Sequence, residues 1–220
     1  MFTGIVSGVG ILLEVQKRGS GAQIRVETPD DFMQRENVKI GDSVACNGVC
    51  LTVTSLSGTI FTADVSFETM EHTCFAGYSR GTKLNLEAAV TPATHMGGHI
   101  VQGHVDGTGT ITSIVKSSEA YDVTVQCPAD LLRYIAYKGS ITVDGISLTV
   151  NDVSDEGFRL TLIPHTGAVT TFETWRPGKK VNLEADVLAR YLERLMESKN
   201  TAADKKSGEL SLQTLIENGF

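Results

Sequence analysis

The sequence predicts an all-β protein that contains two small antiparallel β-barrels in tandem, followed by one α-helix. Three observations support this fold class. The chain repeats itself after almost one hundred residues, each copy contains only short β-prone runs, and one amphipathic segment follows the second copy. Solenoid repeats are usually about 20–50 residues long, so an interval of this size indicates that a whole domain has been duplicated.

The repeat is clearest in two aligned segments. The run Asn47-Gly-Val-Cys-Leu-Thr-Val53 matches Asp144-Gly-Ile-Ser-Leu-Thr-Val150, and residues 81–90 match 178–187 at the same interval. Near the N-terminus, Gly4 and Val6 recur as Gly103 and Val105 at an interval of 99 residues instead of 97, so the first copy carries two extra residues before Ser43. We expect the boundary near residues 91–94 and assign 1–97 to the first barrel and 98–187 to the second.

Within the first copy, β-prone runs cover residues 11–15, 23–26, 50–53, 59–65 and 83–87, and Gly, Pro, Asp and Ser turn residues separate them. Short helices are expected at 30–34 and, in the second copy, at 129–137. Several short strands without a long helical stretch are typical of an antiparallel barrel or sandwich. We interpret each copy as a barrel.

The segment 188–199 is the predicted helix. Its apolar residues recur at helical spacing, with charged residues between them. This apolar face has no partner in the repeat, so we expect it to pack on one of the barrels or on another subunit. Residues 200–220 begin with a polar stretch and are expected to be a partly mobile tail.

The charge and composition argue against two classes of function, nucleic-acid binding and membrane insertion. The formal net charge is −7 and no basic stripe is present, which argues against nucleic-acid binding. No apolar run approaches the ~18 residues of a membrane span, and the N-terminus does not resemble a secretion signal. We therefore expect a cytoplasmic protein whose four cysteines are free thiols.

The repeated Leu-Thr-Val strand is the first candidate functional feature. Side chains alternate along a strand, so Cys50 and Thr52 share one face, as do Ser147 and Thr149 in the second copy. In an ordinary half-exposed sheet that face would simply be solvated. However, cysteine is rarely left on a solvated surface, and both copies keep a small polar group here. We predict one sheltered polar groove in each copy.

The histidines of the segment 95–104 are the second feature. A metal site is disfavoured because no Cys or carboxylate cluster completes a tetrahedral ligand set, and no metal is predicted. The alternatives are that these histidines cap a Gly-rich linker or that His104 transfers protons. His104 occupies the position of Ile5 in the first copy, and an imidazole suits proton transfer near neutral pH. Asp144, which matches Asn47, is either a turn residue or a proton acceptor beside Ser147.

Together, Met1-Phe-Thr-Gly-Ile-Val6, the two Leu-Thr-Val segments and Gly97-Gly-His-Ile-Val-Gln-Gly-His104 resemble the riboflavin synthases of the α-chain type, over about residues 1–200. The resemblance implies two six-stranded Greek-key barrels, each binding one 6,7-dimethyl-8-ribityllumazine. It also implies that a four-carbon unit passes from one lumazine to the other, which gives riboflavin and 5-amino-6-(ribitylamino)uracil without a cofactor.

The resemblance also implies the site residues. The catalytic candidates are His104, Cys50, Ser147 and Asp144. We assign His104 to proton transfer at the lumazine methyl group, and Cys50 and Ser147 to binding or activating an attacking group or water. In the first barrel, the implied substrate contacts are Gly4, Ile5, Val6, Cys50, Leu51, Thr52, Asp64, Val65, Ser66, Phe67, Glu68 and Thr69. In the second barrel, they are Gly103, His104, Val105, Lys138, Ser147, Leu148, Thr149, Thr161, Leu162, Ile163, Pro164, His165 and Thr166.

Members of this family form homotrimers, with each site between the first barrel of one subunit and the second barrel of its neighbour. The resemblance thus implies a trimer-forming role for the helix 188–199, and it leaves association with lumazine synthase open. The alternative function is that of the lumazine proteins, which share the duplication but hold one chromophore as an antenna. The combination of Cys50, Ser147 and His104 favours the enzyme.

Overall fold

The computed structural model describes residues 1–117 and 119–206, with side chains up to residue 197. It confirms the all-β fold with two closed, six-stranded antiparallel barrels. The first barrel contains β1 (Gly8–Arg18), β2 (Gly21–Glu27), β3 (Ser43–Cys46), β4 (Val49–Ser57), β5 (Ile60–Val65) and β6 (Lys83–Ala88). The second contains β7 (Gly107–Lys116), β8 (Tyr121–Gln126), β9 (Ser140–Val143), β10 (Ile146–Val153), β11 (Gly157–Leu162) and β12 (Lys180–Ala185).

Both barrels have the same Greek-key topology. In the first barrel the strand order is β1-β2-β5-β4-β3-β6, and β1 closes the barrel by pairing with β6. Strands β3, β4 and β5 follow one another as neighbours, and β6 returns to lie beside β3, which defines a Greek key. The second barrel repeats this arrangement and closes through β7 and β12.

The turn between β3 and β4 explains why the repeated motif begins with Asn-Gly or Asp-Gly. Asn47 and Gly48 have φ values of 47° and 80°, and Asp144 and Gly145 have φ values of 48° and 78°. A two-residue hairpin of type I′ needs positive φ at both central positions, which these residue pairs tolerate best. The turn therefore fixes the register of the strand that carries Cys50 or Ser147.

Each barrel buries its own apolar core. Along β4, Val49, Leu51 and Val53 are buried, whereas Thr52 is exposed, so the inward face is apolar and the outward face polar. The fully buried side chains of the first core include Leu12, Ile24, Phe61, Leu84 and Leu86. Those of the second include Ile111, Ile141, Val150, Leu160 and Leu183.

The segments that precede the first strand of each copy are exchanged between the barrels. Val6, from the first copy, packs against the core of the second barrel, and Val105 packs against the core of the first. Phe2 and Val101 form an antiparallel bridge where the two segments cross. The predicted division of the chain at residue 97 does not include this exchange, because a repeat alignment carries no information about which copy a segment packs against.

The helices are short except for the last. They are α1 (Phe32–Arg35), α2 (Phe67–His72), α3 (Ala129–Leu132), α4 (Pro164–Val169) and α5 (Val187–Lys206). The predicted helix at 129–137 ends at Leu132, where the chain continues in turns bonded from Tyr134 to Leu131 and from Ile135 to Leu132.

The C-terminal helix α5 is longer than predicted. It is described as far as Lys206, whereas the sequence placed its end at 199, so residues 200–206 are helical. Residues 207–220 of the predicted tail lie outside the described residues. The apolar residues Leu188, Tyr191, Leu192, Leu195 and Met196 are exposed. No helix among the described residues is long and apolar enough to cross a membrane.

Candidate active site

The repeated strand presents its polar side chains on the outside of each barrel. Cys50 is half-buried and Thr52 is exposed on β4, and Ser147 and Thr149 occupy the same positions on β10. This alternation gives each barrel an outward polar face, which we call the first groove around Cys50 and the second groove around Ser147.

Not every predicted contact residue points outward. Leu51, Val65, Leu148 and Leu162 are buried in the barrel cores, so only their main chains are available to a ligand on the outer face. The exposed members of the predicted set are Ile5, Thr52, Asp64, Ser66, Phe67, Glu68, His104, Lys138, Thr149, Thr161, Ile163, Pro164 and His165. Val6, Cys50, Thr69, Val105, Ser147 and Thr166 are half-buried, and Gly4 and Gly103 are buried.

The two faces carry different polar pairs. On the first barrel, the Gln23 side-chain amide donates to the Asp64 carboxylate at 3.0 Å. On the second, Asp122 accepts hydrogen bonds from Thr161 at 2.7 Å and from Arg159 at 3.1 Å. The acid therefore lies on β5 in one copy and on β8 in the other, so the two grooves present different hydrogen-bonding groups.

The helix that follows each face also differs between the copies. Ser66 caps α2 by accepting a hydrogen bond from the Thr69 amide at 3.1 Å. In the second copy the equivalent position is Ile163, which has no capping oxygen, and Pro164 begins α4 instead. Proline suits the first helical position because its missing N–H needs no acceptor there. The Ser66 cap in the first copy and Pro164 in the second each hold a predicted contact segment in a defined turn.

The exchange of the N-terminal segments corrects the expected grouping of site residues. The sequence placed Gly4–Val6 with Cys50 and Gly103–Val105 with Ser147. In the structure, the Cys50 amide donates to the Gly103 carbonyl at 2.9 Å, and the Ser147 amide donates to the Gly4 carbonyl at 2.7 Å. His104, next to Gly103, therefore belongs with the first groove, and Ile5 belongs with the second.

Two buried glutamates hold the exchanged segments in place. Glu87 accepts hydrogen bonds from the amides of Thr3 and Gly4 at 2.6 and 2.9 Å. Its counterpart Glu184 accepts from the amides of Gln102 and Gly103, also at 2.6 and 2.9 Å. Burial raises the pKa of both carboxyls, that of Glu184 to about 7. The repeated Asn-Leu-Glu-Ala segment contains these residues, but the sequence alone did not indicate their role.

Asp144 lies at the contact between the barrels. Its side chain is 1% exposed, and it accepts a hydrogen bond from the Asn182 amide at 2.8 Å. Burial raises its pKa to about 6, although Lys179, 3.9 Å away, acts in the opposite direction. Asn47 makes the same contact to the Asn85 amide at 2.7 Å. This geometry supports a structural role for Asp144, and its catalytic role stays a prediction.

The two turns also hold the barrels together. The Asn85 side chain donates to the Asp144 carbonyl at 2.8 Å, and the Asn182 side chain donates to the Asn47 carbonyl at 2.9 Å. The side-chain oxygen of Asn85 accepts a hydrogen bond from the main-chain amide of Thr171, and that of Asn182 accepts one from the main-chain amide of Cys74. In both cases the donor belongs to the opposite copy. These crossed bonds are symmetric and are buried except for the part-buried bond from Cys74, so they fix the position of one barrel against the other.

His99, which is not among the site residues predicted from the sequence, lies beside the second groove. Its Nδ1 atom lies 2.7 Å from the Ser147 hydroxyl oxygen, and its main-chain amide donates to the Thr3 carbonyl at 3.1 Å. Burial lowers the pKa of the imidazole. The run Gly97-Gly98-His99 contains the histidine that could have indicated this position, but its two glycines favoured a linker. Gly98 is required here because a Cβ would lie 2.0 Å from the Thr3 carbonyl oxygen.

Two well-defined clefts lie away from these grooves. One of about 740 Å³ is lined by Cys74, Tyr78 and Lys179, among others, and one of about 860 Å³ by residues of β1 and the segment 75–80. Neither is lined by a predicted site residue. Among the described residues, Glu68, Glu71 and His72 bring ligand atoms within 4.8 Å of one another, but all three are exposed. The predicted grooves lie on the outer faces of the barrels, where Thr52 and Thr149 are exposed.

Comparison with known proteins gives consistent results. The chain matches the family described as Lumazine binding domain over residues 3–89 and 102–186. It is 44% identical to the riboflavin synthase of Photobacterium phosphoreum, over 100% of this chain and 99% of that protein. It is 38% identical to the riboflavin synthase of Bacillus subtilis over the full length of both chains.

A solved structure of LumP in complex with 6,7-dimethyl-8-(1'-D-ribityl) lumazine is also similar. Its TM-score is 0.76 and its sequence identity 26%, with 84% of this chain and 99% of that chain covered. A shared fold of this extent does not by itself distinguish a catalyst from a binding protein.

Proposed function

The chain belongs to the riboflavin synthase family and carries that family's two lumazine-binding domains, and we propose that it converts two molecules of 6,7-dimethyl-8-ribityllumazine into riboflavin and 5-amino-6-(ribitylamino)uracil. The observation that carries this proposal is the pair of outward grooves on one duplicated fold. Their frameworks are the same, whereas their reactive groups are Cys50 with His104 in one and Ser147 with His99 in the other.

Two similar grooves suit a reaction between two identical molecules. Each groove binds one lumazine, and bringing the two grooves face to face replaces a random encounter with a positioned one. Such positioning contributes as much as about 7–11 kcal/mol to lowering a barrier. Because one molecule donates a four-carbon unit and the other accepts it, the grooves must differ, and the groups around Cys50 and Ser147 provide that difference.

The proposed catalytic roles follow from the placement of the side chains. His104 is exposed beside the first groove and is the proposed proton-transfer group at the lumazine methyl. Cys50 and Ser147 are held by main-chain hydrogen bonds to Gly103 and Gly4, which fixes the strand positions that carry the thiol and the hydroxyl. The exposed residues of β5, β11, α2 and α4 are the proposed contacts for the ring and the ribityl chain.

We also propose that the protein forms a homotrimer and acts in the cytoplasm. The two grooves of one chain are open faces, so a second subunit is needed to cover them and to exclude water. Support for assembly comes from α5, whose apolar residues Leu188, Tyr191, Leu192, Leu195 and Met196 are each between 57% and 65% exposed. An apolar stripe of this kind is typical of a helix that packs against another chain.

The test is to incubate the purified protein with pure lumazine and to follow riboflavin by absorbance and fluorescence. Appearance of riboflavin, with one molecule formed for every two lumazines consumed, supports the proposal. Binding without conversion, at one lumazine per chain, would indicate the antenna function instead. A catalytic-site variant such as Ser147→Ala is the matched control, because it tests whether conversion arises from this protein and not from a contaminant.

A further inference from the structure

The imidazole of His99 lies beside the second groove. It lies 2.7 Å from the Ser147 hydroxyl on the second barrel. Cys50, the equivalent of Ser147 in the first groove, packs instead against the apolar cluster of Phe2, Ala45 and Val101. The first groove has Phe2 in this region: a Cβ on Gly103 would lie 2.7 Å from the Cys50 Cβ and 2.8 Å from the Phe2 ring.

The environment of His99 indicates which ring nitrogen carries the hydrogen. Its Nε2 atom is buried and has no hydrogen-bond partner among the described residues. Buried N–H groups without an acceptor are rarer than acceptors that are left unused. The favoured tautomer therefore has its hydrogen on Nδ1, and Nδ1–H donates to the Ser147 oxygen. Burial favours the neutral ring, because it lowers the pKa of His99, although Asp186 opposes this effect.

In this arrangement the hydroxyl hydrogen of Ser147 takes no part in the hydrogen bond to His99, so it is available to a third group. A hydroxyl that accepts a hydrogen bond from an imidazole is polarised, which makes it a better donor to a third group. The thiol of Cys50, at the equivalent position, is a weak donor. The second groove thus offers a polarised O–H where the first offers a weak S–H.

We infer that His99 is a positioning residue that directs the Ser147 hydrogen towards the molecule bound in the second groove. This inference rests on the proposed function. The acceptor is a ring oxygen or nitrogen of the lumazine, on which negative charge develops when a methyl group loses its proton. Oriented donors in a water-excluded site stabilise developing charge strongly. The imidazole does not itself remove the proton in this scheme; that task falls to His104 of the first groove that the proposed trimer brings against this second groove.

Two substitutions at one position test the inference. Asparagine can place an N–H close to the position of Nδ1, whereas leucine cannot donate. We expect His99→Leu to lower kcat about tenfold or more while lumazine binding changes less than about threefold, since a donor that acts on developing charge affects turnover more than ground-state binding. His99→Asn should restore kcat to within about threefold of the natural protein on the same argument. The control His95→Leu alters an exposed histidine of the same segment and should behave as the natural protein.

The opposite results would overturn the inference. If His99→Asn is as slow as His99→Leu, the ring acts as a base and not as a donor. If His99→Leu is as fast as the natural protein, the pair has no role in turnover. Adding His99→Leu to Ser147→Ala should cause little further loss, because His99 acts only through the Ser147 hydroxyl. Full additivity would contradict the proposal.

Nitrogen NMR of the ligand-free protein tests the geometry without any reference to activity. The ring of His99 should be protonated at Nδ1 near neutral pH, and Ser147→Ala should shift the Nδ1 resonance. A hydrogen on Nε2 would contradict the proposed direction of donation. A natural protein that converts no lumazine would overturn the proposed function, and the NMR result would still decide how His99 and Ser147 are bonded.

Discussion

The main-chain amide of Cys50 in the first barrel donates to the carbonyl of Gly103 in the second copy, at 2.9 Å. This bond shows that the strand carrying Cys50 in one barrel is held by the segment that leads into the other. In the same way, the main-chain amide of Ser147 in the second barrel donates to the carbonyl of Gly4 in the first copy. Each groove is therefore made from both copies, and neither barrel holds all of its own groove residues.

Gly103→Ala should damage the first groove. Gly103 has a φ of +77°, and an added Cβ would lie 2.7 Å from the Cys50 Cβ. Strain and overpacking of this kind cost about 1–3 kcal/mol, so we expect a lower unfolding temperature and lower turnover. Gly107→Ala is the control, because its Cβ would meet no atom within 4 Å. Equal behaviour of the two variants would show that the close approach at Cys50 is unimportant.

Asp144→Asn should retain turnover within about threefold, because the change keeps the side-chain oxygen that accepts the Asn182 amide. Asparagine already makes this contact at position 47 in the first copy. Asp144→Leu should instead destabilise the fold by about 1–3 kcal/mol, since a buried amide loses its acceptor. The measurements are steady-state kinetics and denaturant unfolding. Loss of turnover in a stably folded Asp144→Asn protein would support the catalytic role that the sequence suggested.

Glu184→Gln should change how stability depends on pH. Burial raises the folded-state pKa of Glu184 to about 7, and the nearby Asp106 acts in the same direction. The folded protein therefore keeps a proton that the unfolded chain releases near pH 4.5. The contribution of Glu184 to stability is thus fully present below that pH and is lost as the pH rises through 7.

We expect the free energy of unfolding of the natural protein, relative to Glu184→Gln, to fall by on the order of 2 kcal/mol between pH 5 and pH 8. Denaturant unfolding at several pH values measures this difference. The exposed Glu27→Gln serves as the control and should leave the pH dependence unchanged. A relative stability that rises with pH would show that the buried carboxylate is stabilised, not destabilised, by its amide donors.

His104→Ala should lower turnover much more than lumazine binding. His104 is exposed next to Gly103, which the Cys50 amide and Glu184 hold in place, so its removal leaves the main chain of the groove intact. General acid–base groups typically contribute about 10²–10⁴-fold to rate. Fluorescence titration and single-turnover kinetics separate the two effects. Equal losses in binding and turnover would remove the proton-transfer role.

Leu192→Glu should disrupt the proposed trimer. Leu192 is 61% exposed on α5, and a charge there would oppose burial of the apolar stripe. We expect the natural protein to have the mass of three chains by light scattering and the variant to have a lower mass and lower activity. Arg194→Glu, at a charged position of the same helix, is the control. A monomeric natural protein with full activity would contradict a site between subunits.

The sequence alone determined the repeated part of the structure. Local patterns are enough for this part: alternation sets which side of β4 and β10 faces the core, and Asn47-Gly48 and Asp144-Gly145 specify the turns that set the register. The candidates Cys50, Ser147 and His104 were visible as well, because a repeat shows where its two copies differ.

Tertiary structure decided which copy supplies each part of a groove. Gly103 meets Cys50, Gly4 meets Ser147, and His99 meets Ser147 only because two segments cross between closed barrels. Alternation and turn preference act over a few neighbouring residues, whereas these contacts join positions that are about fifty or more apart in the chain. Their free energy comes from packing and buried hydrogen bonds that exist only once both barrels have formed.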